Sequence, residues 1–174
     1  MIRNFKFIFL ILLIFNCNVS FAEEKIIFID LDYIYSNTVA GKKINKKIQD
    51  KTKNINIEID GYNKKIQAER DKLINQKNIL AKEEFEKISL ELNDKVKEYK
   101  STITKKNNEL LNLRNTARIK FSEKLKDILQ KYAEKNSIEL IINKKNILLG
   151  KNKLDATQDI LKIFDENIKE IKLN

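Results

Sequence analysis

The spacing of hydrophobic positions changes several times along the chain. From Ile26 to Ile29 four apolar residues run together and stop at Asp30-Leu31-Asp32, the pattern of a short buried strand. From Lys42 to Ala133 apolar residues recur every seven positions instead. One column holds Ile48, Ile55 and Tyr62, and a second holds Ile59, Ile66, Leu73 and Leu80, with Thr52, Glu69 and Gln76 as imperfect members. A later frame sets Phe85, Leu92, Tyr99 and Leu113 in one column and Val96, Ile103, Leu110 and Ala117 in the other, interrupted by Lys106. Paired apolar columns at this spacing predict the seam of a coiled coil.

The two frames do not join. A step of seven from Leu80 lands on Lys87, and "NQKNILAKEEF", Asn75 to Phe85, lies between them. Asn75 and Asn78 suit a turn. The break predicts a helical hairpin with its tip near Asn78 to Glu84; one unbroken helix with a stutter is the alternative. At 1.5 Å per residue, a helix of about 38 residues reaches about 57 Å. Gly61 falls inside the first helix, at a cost of roughly 1 kcal/mol against Ala. It either marks a bend or is simply tolerated.

Beyond the arm, Ile138 to Ile142 reads as a strand, Asn143 to Asn146 as a turn and Ile147 to Gly150 as a returning strand. Asp155 is expected to cap a last helix, with Gln158 completing a capping box. Ile160, Leu161, Phe164, Ile168 and Ile171 would form its apolar face. The expected organisation is a body of residues 23–41 and 134–174 and an arm of residues 42–133. About 60 residues outside the arm make a marginal core, and few strands leave open edges. Association, with strands from several chains completing one sheet or barrel, is the economical solution.

The N-terminus changes this picture. Arg3 and Lys6 precede the apolar block Phe7 to Phe15, which is too short to span a bilayer and fits a signal peptide. Ser20 and Ala22 occupy the small-residue positions before a cleavage site after Ala22, so residues 1–22 are expected to be a removed export signal. A lipoprotein anchor on Cys17 fits less well, because Asn16 precedes the Cys. Cleavage leaves no Cys, and hence no disulfide framework in a compartment that would permit one. There is no Pro and Gly occurs three times, which favours long helices.

Charge sharpens the role of the arm. The chain holds 35 Lys and Arg against 25 Asp and Glu. Residues 42–133 hold 24 basic against 14 acidic residues, whereas the rest of the chain from Glu23 holds 9 against 11. The arm therefore carries the whole excess and will attract anionic partners through a field that salt screens. A solvated helical face is the simpler reading of the same charges.

Asp30 and Asp32, at the end of an apolar strand, raise the chemistry of haloacid-dehalogenase-like phosphatases. That fold needs a Gly-Thr turn after the second Asp and repeated βαβ units. Here Tyr33-Ile34 follows and the chain enters a coiled coil. No Gly-rich phosphate loop occurs, and without His or a mature Cys no nucleophilic set is available. No enzyme activity, cofactor or metal is expected. Asp30 would end the strand, and Asp32 would cap the turn through Tyr35.

"IIFIDLDYIYSNTVAGKKI", Ile26 to Ile44, resembles the start of the Skp (OmpH) family of periplasmic chaperones: a strand ending in an acidic pair, a short apolar helix, then a small-Gly-Lys stretch, here Ala40-Gly41-Lys42. "IELIINKKNILLGKNKLDATQDILKIF", Ile138 to Phe164, resembles the family's closing hairpin followed by Asp-x-Thr, here Asp155 and Thr157, and a helix. The resemblance implies a mostly α, α+β fold: a homotrimer with a small β-barrel-like body and three antiparallel coiled-coil arms enclosing a cavity. It implies an ATP-independent holdase for unfolded outer-membrane proteins in the periplasm, with no catalytic residues. A coiled-coil envelope spacer or adaptor is the alternative. Apolar arm residues outside the seam are candidate client contacts: Ile57, Ile74, Ile79, Leu90, Leu111 and Ile119. Lys64, Lys65, Arg70, Lys95, Arg114 and Arg118 would hold an acidic client while leaving it free to move. Lipopolysaccharide or an anionic membrane surface is expected only as a secondary ligand. Nucleic acid is not expected as the working partner, since the arm lacks an interleaved aromatic platform.

Overall fold

The computed structural model describes residues 25–173. The export segment, its cleavage after Ala22 and Cys17 lie outside those residues. A strand β1 (Lys25–Ile29) leads into a short helix α1 (Leu31–Asn37) and then two long helices, α2 (Val39–Gln76) and α3 (Lys82–Asn136). Strand β2 (Ile138–Asn143) follows, then two single 3₁₀ turns and a closing helix α4 (Thr157–Asn167). The fold is mostly helical with a small sheet.

Local signals set the boundaries. The Asp30 side chain accepts from the Tyr33 N–H at 2.9 Å and starts α1. Thr38 starts α2, its hydroxyl accepting from the Gly41 N–H at 3.2 Å. Both satisfy donors that a helix start leaves unpaired. Ser137, with φ 52° and ψ 48°, ends α3 in the left-handed region, and its N–H donates to the Ala133 carbonyl. The chain then turns directly into β2.

β1 and β2 pair in parallel, with Ile26 opposite Leu140 and Phe28 opposite Ile142. Parallel neighbours need a long crossover, and here that crossover is the entire arm. On the other side of β1 the chain returns at Asp155, opposite Phe28, and the Ala156 N–H donates to the Phe28 carbonyl at 2.9 Å. The core sits at the root of the arm. Phe164, fully buried, stacks on Phe121 of α3 at 4.6 Å, and Tyr35 of α1 meets Phe121 edge-on at 4.8 Å. Ile29, Ile34 and Ile160 fill the remaining space.

Five local expectations are corrected. Asp30, not Asp32, caps the first turn; Asp32 is exposed within it. The hairpin tip is the turn at 77–81, earlier than 78–84, because Glu83 and Glu84 already form the acidic first turn of α3. Ile147 to Gly150 is not a strand. Asn143 instead accepts from the Lys145 N–H and starts a 3₁₀ turn, and the chain then crosses to the β1 side. A Cβ at Gly150 would lie 2.8 Å from Cε1 of Phe28, so a side chain there would have to displace the ring. Finally, α4 is capped at Ala156, one residue after Asp155, without a Gln158 box. Asp155 instead accepts from both the N–H and the hydroxyl of Thr157. Ile168 and Ile171 lie beyond the helix, in a tail that still packs on the core.

Candidate functional site

The arm consists of α2 and α3 folded back on each other. Its seam follows the heptad columns: Ile55 and Leu73 of α2 and Leu92, Leu110 and Ala117 of α3 are buried. α2 passes through Gly61 without interruption. At that level the seam becomes aromatic and polar. Tyr62 and Tyr99 pack at 4.9 Å, and the Tyr99 hydroxyl donates to the Ile59 carbonyl at 2.9 Å. The sequence shows Tyr99 only as an apolar seam position; its bond to a helix carbonyl needs the three-dimensional pairing.

Three ion pairs cross from one helix to the other: Lys51 with Glu109 at 3.9 Å, Glu69 with Lys95 at 2.7 Å, and Glu58 with Lys106. Lys95 is therefore a brace of the hairpin rather than a free cation. Lys64 is paired within its own helix, 2.7 Å from Asp60. Among the described residues, Lys65, Arg70, Arg114 and Arg118 have no carboxylate within ion-pair distance. Arg114 reaches across the seam to the Thr52 hydroxyl at 3.5 Å.

All six apolar candidates, Ile57, Ile74, Ile79, Leu90, Leu111 and Ile119, are more than half exposed, Ile79 at the tip reaching 80%. None is consumed by hairpin packing. The structure brings Ile57 and Arg114 to one open groove of about 660 Å³, floored by Ile48 and Thr52. Ile119, in contrast, stands near the root. Two large apolar residues outside the arm are more exposed still. Leu148 and Leu149 project fully from the segment after β2. Nothing in the residue pattern signals this, because pairing as a strand would bury one of them.

The titrating groups describe a surface of fixed charge. Hydrogen bonds that Lys64 and Lys106 donate to the carboxylates of Asp60 and Glu58 hold both ammonium groups above the usual lysine value. Burial pushes the phenols of Tyr35, Tyr99 and Tyr132 up. Burial also pushes Asp155 up, but bonds from Lys144 and Thr157 outweigh it and leave the group below its ordinary value. Each of these shifts moves its group further from pH 7. Among the described residues no three His, Cys, Asp or Glu side chains gather as a metal site. No described helix is long and apolar enough to cross a membrane. Exposed apolar side chains and cations without carboxylate partners among the described residues give the arm a surface that can attract anionic groups and contact apolar ones.

A structural neighbour shares this architecture. The crystal structure of a candidate outer membrane chaperone (OmpH-like) from Caulobacter crescentus CB15 superposes with a TM-score of 0.79. The match covers 88% of this chain and 90% of that one at 15% identity, a likeness of fold. A search of the curated proteins finds no match. The family profile described as outer membrane protein (OmpH-like) matches residues 25–164, from the first residue of β1 into α4. The chain is a member of the OmpH-like outer membrane protein family.

Proposed function

We propose that this protein is a periplasmic holdase chaperone. It binds unfolded outer-membrane proteins between basic helical arms and keeps them from aggregating without ATP. Membership in the OmpH-like family supports a chaperone role in general. The observation that carries the finer reading is the arm itself: six large apolar side chains stand exposed on helices whose Lys65, Arg70, Arg114 and Arg118 have no carboxylate partner among the described residues. Isolated exposed apolar residues are common on any protein. Distributed along an arm of about 57 Å, they offer many weak contacts to an extended chain.

The working form in this proposal is a homotrimer whose bodies complete one barrel. The support is the small two-stranded sheet and the apolar surface around it. Leu148 and Leu149 are fully exposed, and Ile26 and Leu140 are about 40% and 49% exposed beside them. Lipopolysaccharide or an anionic membrane surface would be a secondary ligand of the same cations.

Light scattering after dilution of a urea-unfolded outer-membrane β-barrel protein tests the function. Scattering falls when this protein is present near three chains per client. Unchanged scattering across several clients, with saturable binding to one native protein, would establish the spacer or adaptor role instead. Mass from multi-angle light scattering tests assembly: three chains are expected, and a compact monomer refutes the shared body.

A further inference from the structure

The two faces of the arm are not equivalent. With Ile55 and Leu92 at heptad position d and Ile59 and Val96 at a, every arm residue has a defined side. Because α2 and α3 are antiparallel, e and b positions of both helices lie on one face and g and c positions on the other. The contacts agree: Lys51 and Glu109 are both at g, while Arg114 at e meets Thr52 at a. All three cross-helix ion pairs lie along the g/c margin. The groove of Gln49, Lys53, Asn56 and Arg114 lies on the e/b face.

Charge divides the same way. Over residues 42–76 and 83–118, the e and b positions hold eight basic and three acidic residues, Asp60, Glu83 and Glu86. The g and c positions hold six basic and five acidic residues. Nearly all of the excess on these segments is therefore on one face. That face also carries Ile74, Leu90 and Leu111 at b positions, with Ile57 on its margin, and the cations Arg70, Arg114 and Arg118. Exposed branched apolar groups, Ile74 and Leu90 toward the tip and Leu111 toward the root, share this face with arginines that lack carboxylate partners among the described residues, which fits an extended polypeptide carrying both carboxylates and apolar side chains.

We propose that the e/b face of the hairpin is the client-gripping face. Unfolded segments that alternate apolar and acidic residues lie along it, and the ion-paired g/c face stays free of client. This rests on the holdase reading above and assigns it a side. Ile119, Lys65 and Lys95 then belong to the face that does not grip, and only part of the sequence-derived set contacts client. Steering comes from the summed field and holding from shallow apolar contacts, which permits fast exchange along the face.

Site-specific photo-crosslinking tests the assignment. A photoreactive residue replaces Asn56, Asn93 or Thr104 on the e/b face, or Asn54, Thr102 or Asn112 on the g/c face. The probe is a urea-unfolded, fluorescently labelled outer-membrane β-barrel protein. Adducts to that client from the e/b positions and none from the g/c positions are expected. Equal adducts from both faces, or adducts from the e/b positions only to a second copy of this chain or to lipopolysaccharide vesicles, overturn the proposal. In parallel, R70Q/R114Q/R118Q is expected to weaken client binding by about ten-fold at low salt, and K65Q/K72Q/K105Q by less than about two-fold. Equal losses overturn the sidedness while leaving the holdase function standing. If unsubstituted protein binds no client, the holdase reading fails, and this inference with it.

Discussion

Replacing Thr157 by Val tests how the first and last parts of the chain are fastened together. Thr157 is buried, and its hydroxyl makes two bonds. It accepts the Asp30 N–H at 2.9 Å, tying the end of β1 to the start of α4, and it donates to the Asp155 carboxylate. Val keeps the shape and loses both. The Asp30 N–H, part-buried, is left without its acceptor, a cost of about 1–3 kcal/mol. The bond to a carboxylate is worth roughly 1.5–3 kcal/mol. Its loss belongs at the low end, because Asp155 keeps the Thr157 N–H and the Lys144 ammonium. A total near 3 kcal/mol is expected for Val. Ser keeps both bonds and loses one methyl, about 1 kcal/mol. The assay is urea unfolding followed by far-ultraviolet circular dichroism at one fixed protomer concentration. Thr157→Val should fall below Thr157→Ser by about 2 kcal/mol. If Val proves equal to or more stable than Ser, the hydroxyl bridge carries no net stability and the reasoning is wrong.

Further outcomes follow from other positions. A Cβ at Gly41 would lie 1.7 Å from the Tyr35 carbonyl oxygen, so Gly41→Ala should cost more than about 3 kcal/mol in the same unfolding assay. Nothing lies within 4 Å of a Cβ at Gly61, and there Gly61→Ala should stabilise by about 0.5–1 kcal/mol. Asp155 is held below its ordinary 3.8, so its contribution is complete above that value and is lost as pH falls through the lower folded one. Unfolding curves for the unsubstituted chain and Asp155→Asn should therefore converge as pH drops from about 5 to about 2. Client affinity should weaken as salt rises from about 0.1 M to about 1 M, where the screening length shrinks from about 10 Å to about 3 Å. Flat affinity across that range would exclude steering by the arm.

Periodicity made the arm legible. A heptad column is a long, redundant signal, and imperfect members such as Thr52 and Lys106 do not erase it. In the structure Lys106 reaches Glu58 at the edge of the seam, and Thr52 bonds its own helix at the Ile48 carbonyl. The short elements were less legible because single contacts decide them. Asp30 and Asp32 are equally good caps in sequence, and only Asp30 has its backbone fixed by Thr157. Ile147 to Gly150 has strand-like composition, yet the route of the chain is set by the distant pairing of Phe28 with Asp155. The exposed apolar candidates were found by exclusion from the columns. Their division between two faces required the antiparallel pairing, which fixes which edge of one helix meets which edge of the other.

The parallel pairing of β1 with β2 has a consequence for how the molecule folds. The contact from Lys25 to Asn136 spans 111 positions, so the first strand emerges long before its partner exists. Closing so long a flexible loop is entropically costly and slow. The hairpin removes most of that cost, because its own contacts spread outward from the tip at 77–81 and need only neighbouring residues at each step. Once it has zipped to the root, Ile44 and Ala117 share one core cluster, which leaves only the 15 positions from Ile29 to Ile44 and the 21 from Ala117 to Ile138 to be closed. The arm is thus the folding guide of the body, and a lesion at the tip should slow refolding of the sheet at the opposite end of the molecule.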